Sequence, residues 1–257
     1  MDIFVVVKRT FDTEEKLTIN KGRIEESSAA FIINPYDEYA IEEAIQLKDK
    51  YGGEVTVVTV GGEDAEKELR TALAMGADKA VLINIEDDLE DGDEYTTAKI
   101  LAQFFKTKNF DIILGGNVAI DGGSGQVCPR LAEMLKIPYV TTITRLDFID
   151  KTVTVERDVE GDNEIIELSL PVLVTAQQGL NEPRYPSLPG IMKAKKKPLE
   201  ELDLDDLGLQ EDVVESKTKV IDIYLPPKKE AGKVLDGELE DQVKQLVNLL
   251  QNEAKVI

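Results

Sequence analysis

One stretch of the chain is suited to close contact with an anion. LGGNVAIDGGSGQV, residues 114–127, carries Gly115, Gly116, Gly122, Gly123 and Gly125 around Asp121 and Ser124, and a helical pattern follows directly. Glycines let a backbone approach a phosphate. The free amides and the dipole of a helix start can then bind its oxygens. The spacing is neither a Walker A loop nor the GxGxxG fingerprint, which disfavours a P-loop nucleotide hydrolase and a standard dinucleotide dehydrogenase. A glycine-rich link from strand to helix is also often purely structural, and composition leaves both readings open. Three other segments fall where an open α/β sheet presents its strand ends to a ligand: Lys8-Arg9, the turn Asn34–Asp37, and Val60-Gly61-Gly62.

Acid–base chemistry has few candidates. The chain has no histidine, which removes the commonest general base, triad partner and metal ligand. Cys128 is the only cysteine, so there is no intrachain disulfide and no cysteine-rich zinc site. It has no basic neighbour in sequence to activate it and reads as a small packed residue. We therefore expect no catalytic residue and no metal ligand. Chemistry must come from a bound cofactor or from carboxylates and lysines.

The formal charge of −21 opposes binding to nucleic acid or to an anionic membrane. The apolar runs fall far short of the ~20 residues a membrane span needs. MDIFVVVKRT, with its early acid and no small-residue cleavage site, reads as a strand rather than a signal peptide. The expectation is a cytoplasmic protein with no membrane insertion.

These groups need a scaffold to position them. IFVVVK (3–8), EVTVVTV (54–60), KAVLINI (79–85), FDIILGG (110–116) and PVLVTA (171–176) read as buried strands. Helical patterns lie between them. One starts at Asn34-Pro35, with Asn34 as N-cap, acids in its first turn and Lys48 and Lys50 in its last. Others run from after Gly62 to Met75, closed by Gly76, then from Thr96 to Phe105 and from Gly125 to Leu135. LTINKGRI suggests a small hairpin around residues 20–22. Residues 145–170 alternate like an antiparallel hairpin. The pattern implies a doubly wound, mainly parallel α/β sheet of adenine-nucleotide-binding type.

Beyond Gln177 the texture changes to prolines, glycines and the cluster Lys193, Lys195, Lys196 and Lys197. An acidic block of eight acids without a base follows, then KVIDIYLPP, strand-like until its prolines, then a helix over about 238–252. Such a tail cannot form its own core. We expect an α/β domain over residues 1–198 and an extended arm with a terminal helix over 199–257, packing on the main domain or on another chain.

Taken in order, NPYDEYAIEEA, TALAMGAD, AIDGGSGQV and LNEPRYPSLPGIMKAKKK resemble the beta subunits of electron transfer flavoproteins. Arg157, the run 160–162, Glu164, Ile166 and Pro171 fall at the spacing of that family's signature. The likeness spans essentially the whole chain.

The resemblance implies a heterodimer with a larger alpha subunit and one FAD, held mainly by that subunit. AMP would be buried in this chain. Its contacts would be Val6, Asn34, Pro35, Tyr36, Asp37, Val60, Gly116, Asn117, Val118, Ala119, Ile120, Asp121, Gly122, Gly123, Ser124, Gly125, Gln126 and Val127. Residues 176–198 would be the loop that docks on dehydrogenases. Leu188 is its apolar anchor, with Tyr185, Pro189, Met192 and Lys193 beside it. Prolines Pro183, Pro186 and Pro189 restrict that loop. The lysines either orient acidic partners or pair with the acidic block.

Electrons would pass from acyl-CoA dehydrogenases of fatty acid beta-oxidation, through FAD, to a membrane quinone oxidoreductase. The flavin carries the redox chemistry and the protein supplies position and docking.

The chain departs from the family at Asp121-Gly122-Gly123, where many relatives have Asp-Gly-Asp, and at Cys128, where glycine is common. The NEPRYPSLP form of the loop favours a simple carrier. The competing readings are an electron-bifurcating subunit with its own FAD and an NADH site, a non-redox nucleotide-binding stress or signalling protein, and an adenylate-transferring enzyme.

Overall fold

Consecutive residues of a strand face opposite sides of a sheet, and the first strand shows what that demands here. Ile3 and Val5 enter one hydrophobic core, while Phe4 between them enters another. A strand apolar on both faces must be covered on both. In the computed structural model, which describes residues 1–257 except 21, 28, 86–91, 150–151 and 230, it is.

Among the described residues the main sheet comprises β1 (Asp2–Val6), β2 (Glu54–Gly61), β3 (Lys79–Asn84), β4 (Ile112–Gly116), β5 (Tyr139–Ile149), β6 (Thr152–Val159), β7 (Asp162–Ser169), β8 (Val172–Ala176) and β9 (Leu199–Leu202). These nine strands lie in the order β7-β6-β5-β8-β4-β1-β2-β3-β9. From β5 to β9 in that row all neighbours are parallel. The ribbon β6–β7 extends the sheet antiparallel from β5.

Helices α1 (Pro35–Tyr51) and α2 (Glu66–Met75) cover one face, through Ile41, Ile45, Leu69 and Leu73. Helices α3 (Glu94–Phe105) and α4 (Val127–Leu135) cover the other, through Ile100, Leu101, Phe104 and Leu131. Phe4 sits edge-on to both Phe104 and Phe105, with ring centroids 6.2 and 5.2 Å away. Further along the chain come α5 (Leu188–Ala194) and α6 (Leu239–Asn248), with a single helical turn at Glu211–Val214 between them.

The chain steps from β1 outward to β2 and β3, then returns to place β4 on the other side of β1. The order therefore reverses between β1 and β4, and a crevice opens there beyond the carboxyl ends of the strands.

Helix α2 closes where expected, on Gly76, whose φ of 148° is open to glycine and whose N–H reaches Ala72 O. The small hairpin is present as Ile19↔Ile24 and Asn20↔Arg23; Lys21 lies outside the described residues. Two helix starts differ from expectation. Helix α3 begins at Glu94 because the Asp93 side chain accepts from Thr96 N–H and caps it. Helix α4 begins at Val127, since Gly125 at φ 61° stands outside helical space. Asn34 occupies the cap position of α1, but its side chain makes no cap bond and is used elsewhere.

The tail packs in part on the main domain. Residues 199–202 add β9 to the sheet beside β3, and Leu204, Leu209 and Val214 are buried in the α3/α4 core. KVIDIYLPP forms no strand, and Ile221 and Tyr224 are exposed. Helix α6, continued to Ala254 by wider turns, buries none of its residues on this chain. Among the described residues no helix is long and apolar enough to cross a membrane.

Candidate nucleotide site and exposed loop

Three chain segments converge at the crevice, and Asp37 holds them together. Its carboxylate accepts from Lys8 N–H at 2.7 Å, from Gly116 N–H at 2.9 Å and from Asn34 Nδ2 at 3.0 Å. This ties the end of β1, the start of α1 and the end of β4 at one buried carboxyl. Burial pushes its pKa up to about 7, against the pull of the three donors. Asn34, also buried, explains its missing cap bond. Its Nδ2 also donates to Val118 O at 2.9 Å, and its Oδ1 accepts from Ile120 N–H at 3.2 Å. The residue is spent on the glycine-rich loop, not on its own helix.

Glycine at 116 is a packing requirement. A Cβ there would overlap Asp37 Oδ1 and the Tyr36 side chain. At Gly115 a Cβ would come 2.6 Å from Cys128 Sγ. Cys128 is a packed, buried residue at the cavity floor, and burial pushes its thiol up to about 12.

The cavity beyond these groups has a volume of about 490 Å³, within the range of small-molecule sites. Of the residues singled out by sequence, it is lined by Val6, Asn34, Asp37, Val60, Gly116, Asn117, Val118, Ala119, Gly122, Ser124, Gly125, Gln126 and Val127. Pro35, Tyr36, Ile120, Asp121 and Gly123 are not in its wall. Tyr36 packs behind Gly116. Asp121 lies at the rim, paired with Lys8 Nζ at 2.7 Å. The loop folds on itself through Gly123 N–H to Ala119 O at 2.8 Å.

The wall also contains Lys8, one of the strand-end residues singled out by sequence, and Val7, Ile85, Gly92, Asp93, Glu94, Thr97, Leu101, Cys128, Thr218 and Val220, which sequence reasoning did not assign to it. Among the described residues Lys8 is the single cation in this lining. It was visible as the residue following a buried strand. Asp93 was visible as an acid just before a helix. Nothing near Thr218 marked it, because a latch made elsewhere in the chain brings it there. Asp93 accepts from Thr96 N–H, Lys217 N–H, and the N–H and hydroxyl of Thr218, at 2.8 to 3.0 Å. Burial works to raise its pKa, but these donors outweigh it and hold the carboxyl well below the usual range.

The arrangement suits a nucleotide. Backbone amides around Ser124–Gln126, the start of α4 and one lysine can meet a phosphate, while Val6, Val60 and Leu101 supply an apolar wall for a base. Asp37 and Asn34 are spent in the scaffold and orient the loop. Among the described residues no cluster of His, Cys, Asp or Glu could hold a metal ion.

A second feature lies apart from the cavity. Tyr185, Leu188 and Met192 are 95, 80 and 74% exposed, and Pro189 and Lys193 are exposed beside them. Leu188 opens α5, capped by Ser187. Lys197 takes neither role expected of the lysines. Its Nζ donates to Leu73 O and Ala77 O and closes the end of α2, and burial lowers its pKa.

The sequence matches the Electron transfer flavoprotein domain over residues 21–207. It is 68% identical to the electron transfer flavoprotein subunit beta of Bacillus subtilis across the full length of both chains. It is 36% identical to the caffeyl-CoA reductase-Etf complex subunit CarD of Acetobacterium woodii, over 95% of each chain. It is 38% identical to the acryloyl-CoA reductase electron transfer subunit gamma of Anaerotignum propionicum, over 97% of this chain and 98% of the other. The chain belongs to the electron transfer flavoprotein family, in its beta-subunit branch, and is an electron-carrier subunit rather than an enzyme.

Proposed function

We propose that this chain pairs with an alpha subunit and serves as the docking half of a simple electron carrier. Flavin-containing dehydrogenases of the acyl-CoA type donate the electrons, and a membrane quinone oxidoreductase receives them. The heterodimer holds one FAD, mainly on the alpha subunit, and that FAD supplies the redox chemistry. This chain contributes AMP bound in the cavity, a docking loop, and an arm.

The observation that carries this reading is the exposed apolar trio Tyr185, Leu188 and Met192 on one short, proline-flanked segment. Three large apolar side chains held out in water mark a surface that another protein covers. The arm has the same character. Val220, Ile221, Tyr224 and Leu225, then Leu239, Val243, Leu246 and Val247 on α6, are exposed on this chain. Their proposed cover is the alpha subunit. In the cavity, the Ser124–Gln126 amides and Lys8 bind the phosphate, and Asn34 and Asp37 keep the loop in register.

The likeness to subunits of the two reductase complexes supports a second reading, in which the cavity holds another FAD and the dimer bifurcates electrons. Leu188→Ala tests the docking role. It should slow flavin reduction by an acyl-CoA dehydrogenase about tenfold, the scale of truncating one interface anchor, with flavin content and stability unchanged. Loss of flavin or of folding instead would make Leu188 a structural residue and remove the support for docking.

A further inference from the structure

Two of the sequence motifs meet in space. Glu42 belongs to NPYDEYAIEEA and Arg184 to LNEPRYPSLP, 142 residues apart. The Glu42 side chain is only 5% exposed on α1. Its carboxylate accepts from Arg184 Nε at 2.7 Å, from Arg184 Nη2 at 3.0 Å and from the Arg184 backbone N–H at 3.2 Å. Gln46 donates to the same carboxylate at 2.9 Å. Burial works to raise the Glu42 pKa, but these donors outweigh it and keep the group ionised. Nearby, Asn181 Nδ2 donates to Tyr39 O at 3.0 Å and to Glu43 Oε2 at 2.9 Å.

The far end of the segment is fixed as well. Arg70 Nη1 donates to Ala194 O and Lys197 O, both at 3.0 Å, and Gly190 packs against Ala74 O too closely to admit a Cβ. The segment is thus bolted to α1 before Tyr185 and to α2 after Met192. The exposed trio lies between the bolts.

We infer that Glu42 and Arg184 are positioning residues for electron transfer: they preset the loop, so that Tyr185 and Leu188 stand in their docking arrangement before a partner arrives. The inference rests on the docking reading above. A loop free to move loses that freedom on binding, and each side chain it immobilises weakens the complex. A loop fixed in advance does not. The fork geometry matters: a guanidinium can bind both carboxylate oxygens at once, and an ammonium cannot. If the pair only stabilised the domain, its loss would lower the unfolding temperature and leave docking alone.

The test uses the full chain in its FAD-loaded heterodimer, with R184K, E42Q and L188A as single variants. Flavin reduction is followed against the concentration of a purified acyl-CoA dehydrogenase and its acyl-CoA substrate. Reduction by dithionite, which needs no docking, is the second arm, and hydrogen exchange over residues 181–193 is the third. R184K should raise KM for the dehydrogenase about tenfold, the cost of ordering one or two side chains, and speed exchange in the segment. Maximal rate, flavin content and dithionite reduction should stay within about twofold of wild type.

A KM unchanged in R184K while L188A raises it overturns the clamp and leaves the docking loop standing. A KM unchanged in both overturns the docking reading and the clamp with it. Should a single variant fail to assemble, the uncharged pair E42Q/R184M leaves no buried charge alone. It must raise KM as R184K does, and an unchanged KM in it overturns the inference.

Discussion

Replacing Asp37 by asparagine sets two effects of similar size against each other, and pH separates them. The Asp37 carboxyl titrates near 3.8 when free and at about 7 when buried in the fold. The folded state therefore holds its proton more tightly than the unfolded chain. The stability this group lends is complete below pH 3.8 and is lost as pH rises through about 7. At about 1.4 kcal/mol per pH unit the full loss is about 4 kcal/mol, of which about 2–3 kcal/mol falls between pH 5 and pH 8.

An asparagine in this place has no such dependence but misplaces a donor. With its oxygen toward Gly116 N–H and Asn34, its amide nitrogen faces Lys8 N–H, a loss of about 1–3 kcal/mol at every pH. Urea unfolding of wild type and Asp37→Asn, measured side by side from pH 5 to pH 8, cancels the titration of the other charges. The variant should be less stable than wild type, or equal to it, at pH 5. It should gain about 2–3 kcal/mol on wild type by pH 8. A difference that stays constant over this range would mean the carboxyl is ionised throughout, its three donated hydrogen bonds outweighing burial.

Other consequences are simpler to read. Gly116→Ala forces a methyl against Asp37 and Tyr36. It should cost about 1–3 kcal/mol by overpacking and release the nucleotide, seen as free AMP in the filtrate. Cys128, buried with a thiol pushed up to about 12, should resist iodoacetamide at pH 8 and react only once urea unfolds the chain. Asp93→Ala removes the acceptor of Thr218 and Lys217. It should expose the arm to trypsin near Lys217 while the rest of the domain stays intact.

Local rules read the sheet well because its strands are apolar on both faces. Ile3, Phe4 and Val5 each need a core, and only helices on both sides provide that. The glycine-rich loop announced its place for a similar reason: Gly116 admits no side chain and Gly125 needs a left-handed backbone. What stayed hidden depends on partners distant in sequence. Asn34 carries the pattern of an N-cap, but Val118 and Ile120 compete for its side chain. Thr218 reaches the cavity only because Asp93 holds it there. KVIDIYLPP has strand composition but pairs with no strand of the sheet, so its propensity goes unused. Lys197 looked like one of a surface cluster, yet it closes α2, because Leu73 and Ala77 left carbonyls within its reach.

The central claim is that this chain holds AMP and docks, while a single flavin elsewhere in the dimer carries the electrons. Its most direct test is a count of the nucleotides released from the purified heterodimer, by absorption spectrum and chromatography. The account predicts one FAD and one AMP per dimer. Two FAD per dimer and no AMP would contradict it and place a second redox centre in the cavity between β1 and β4.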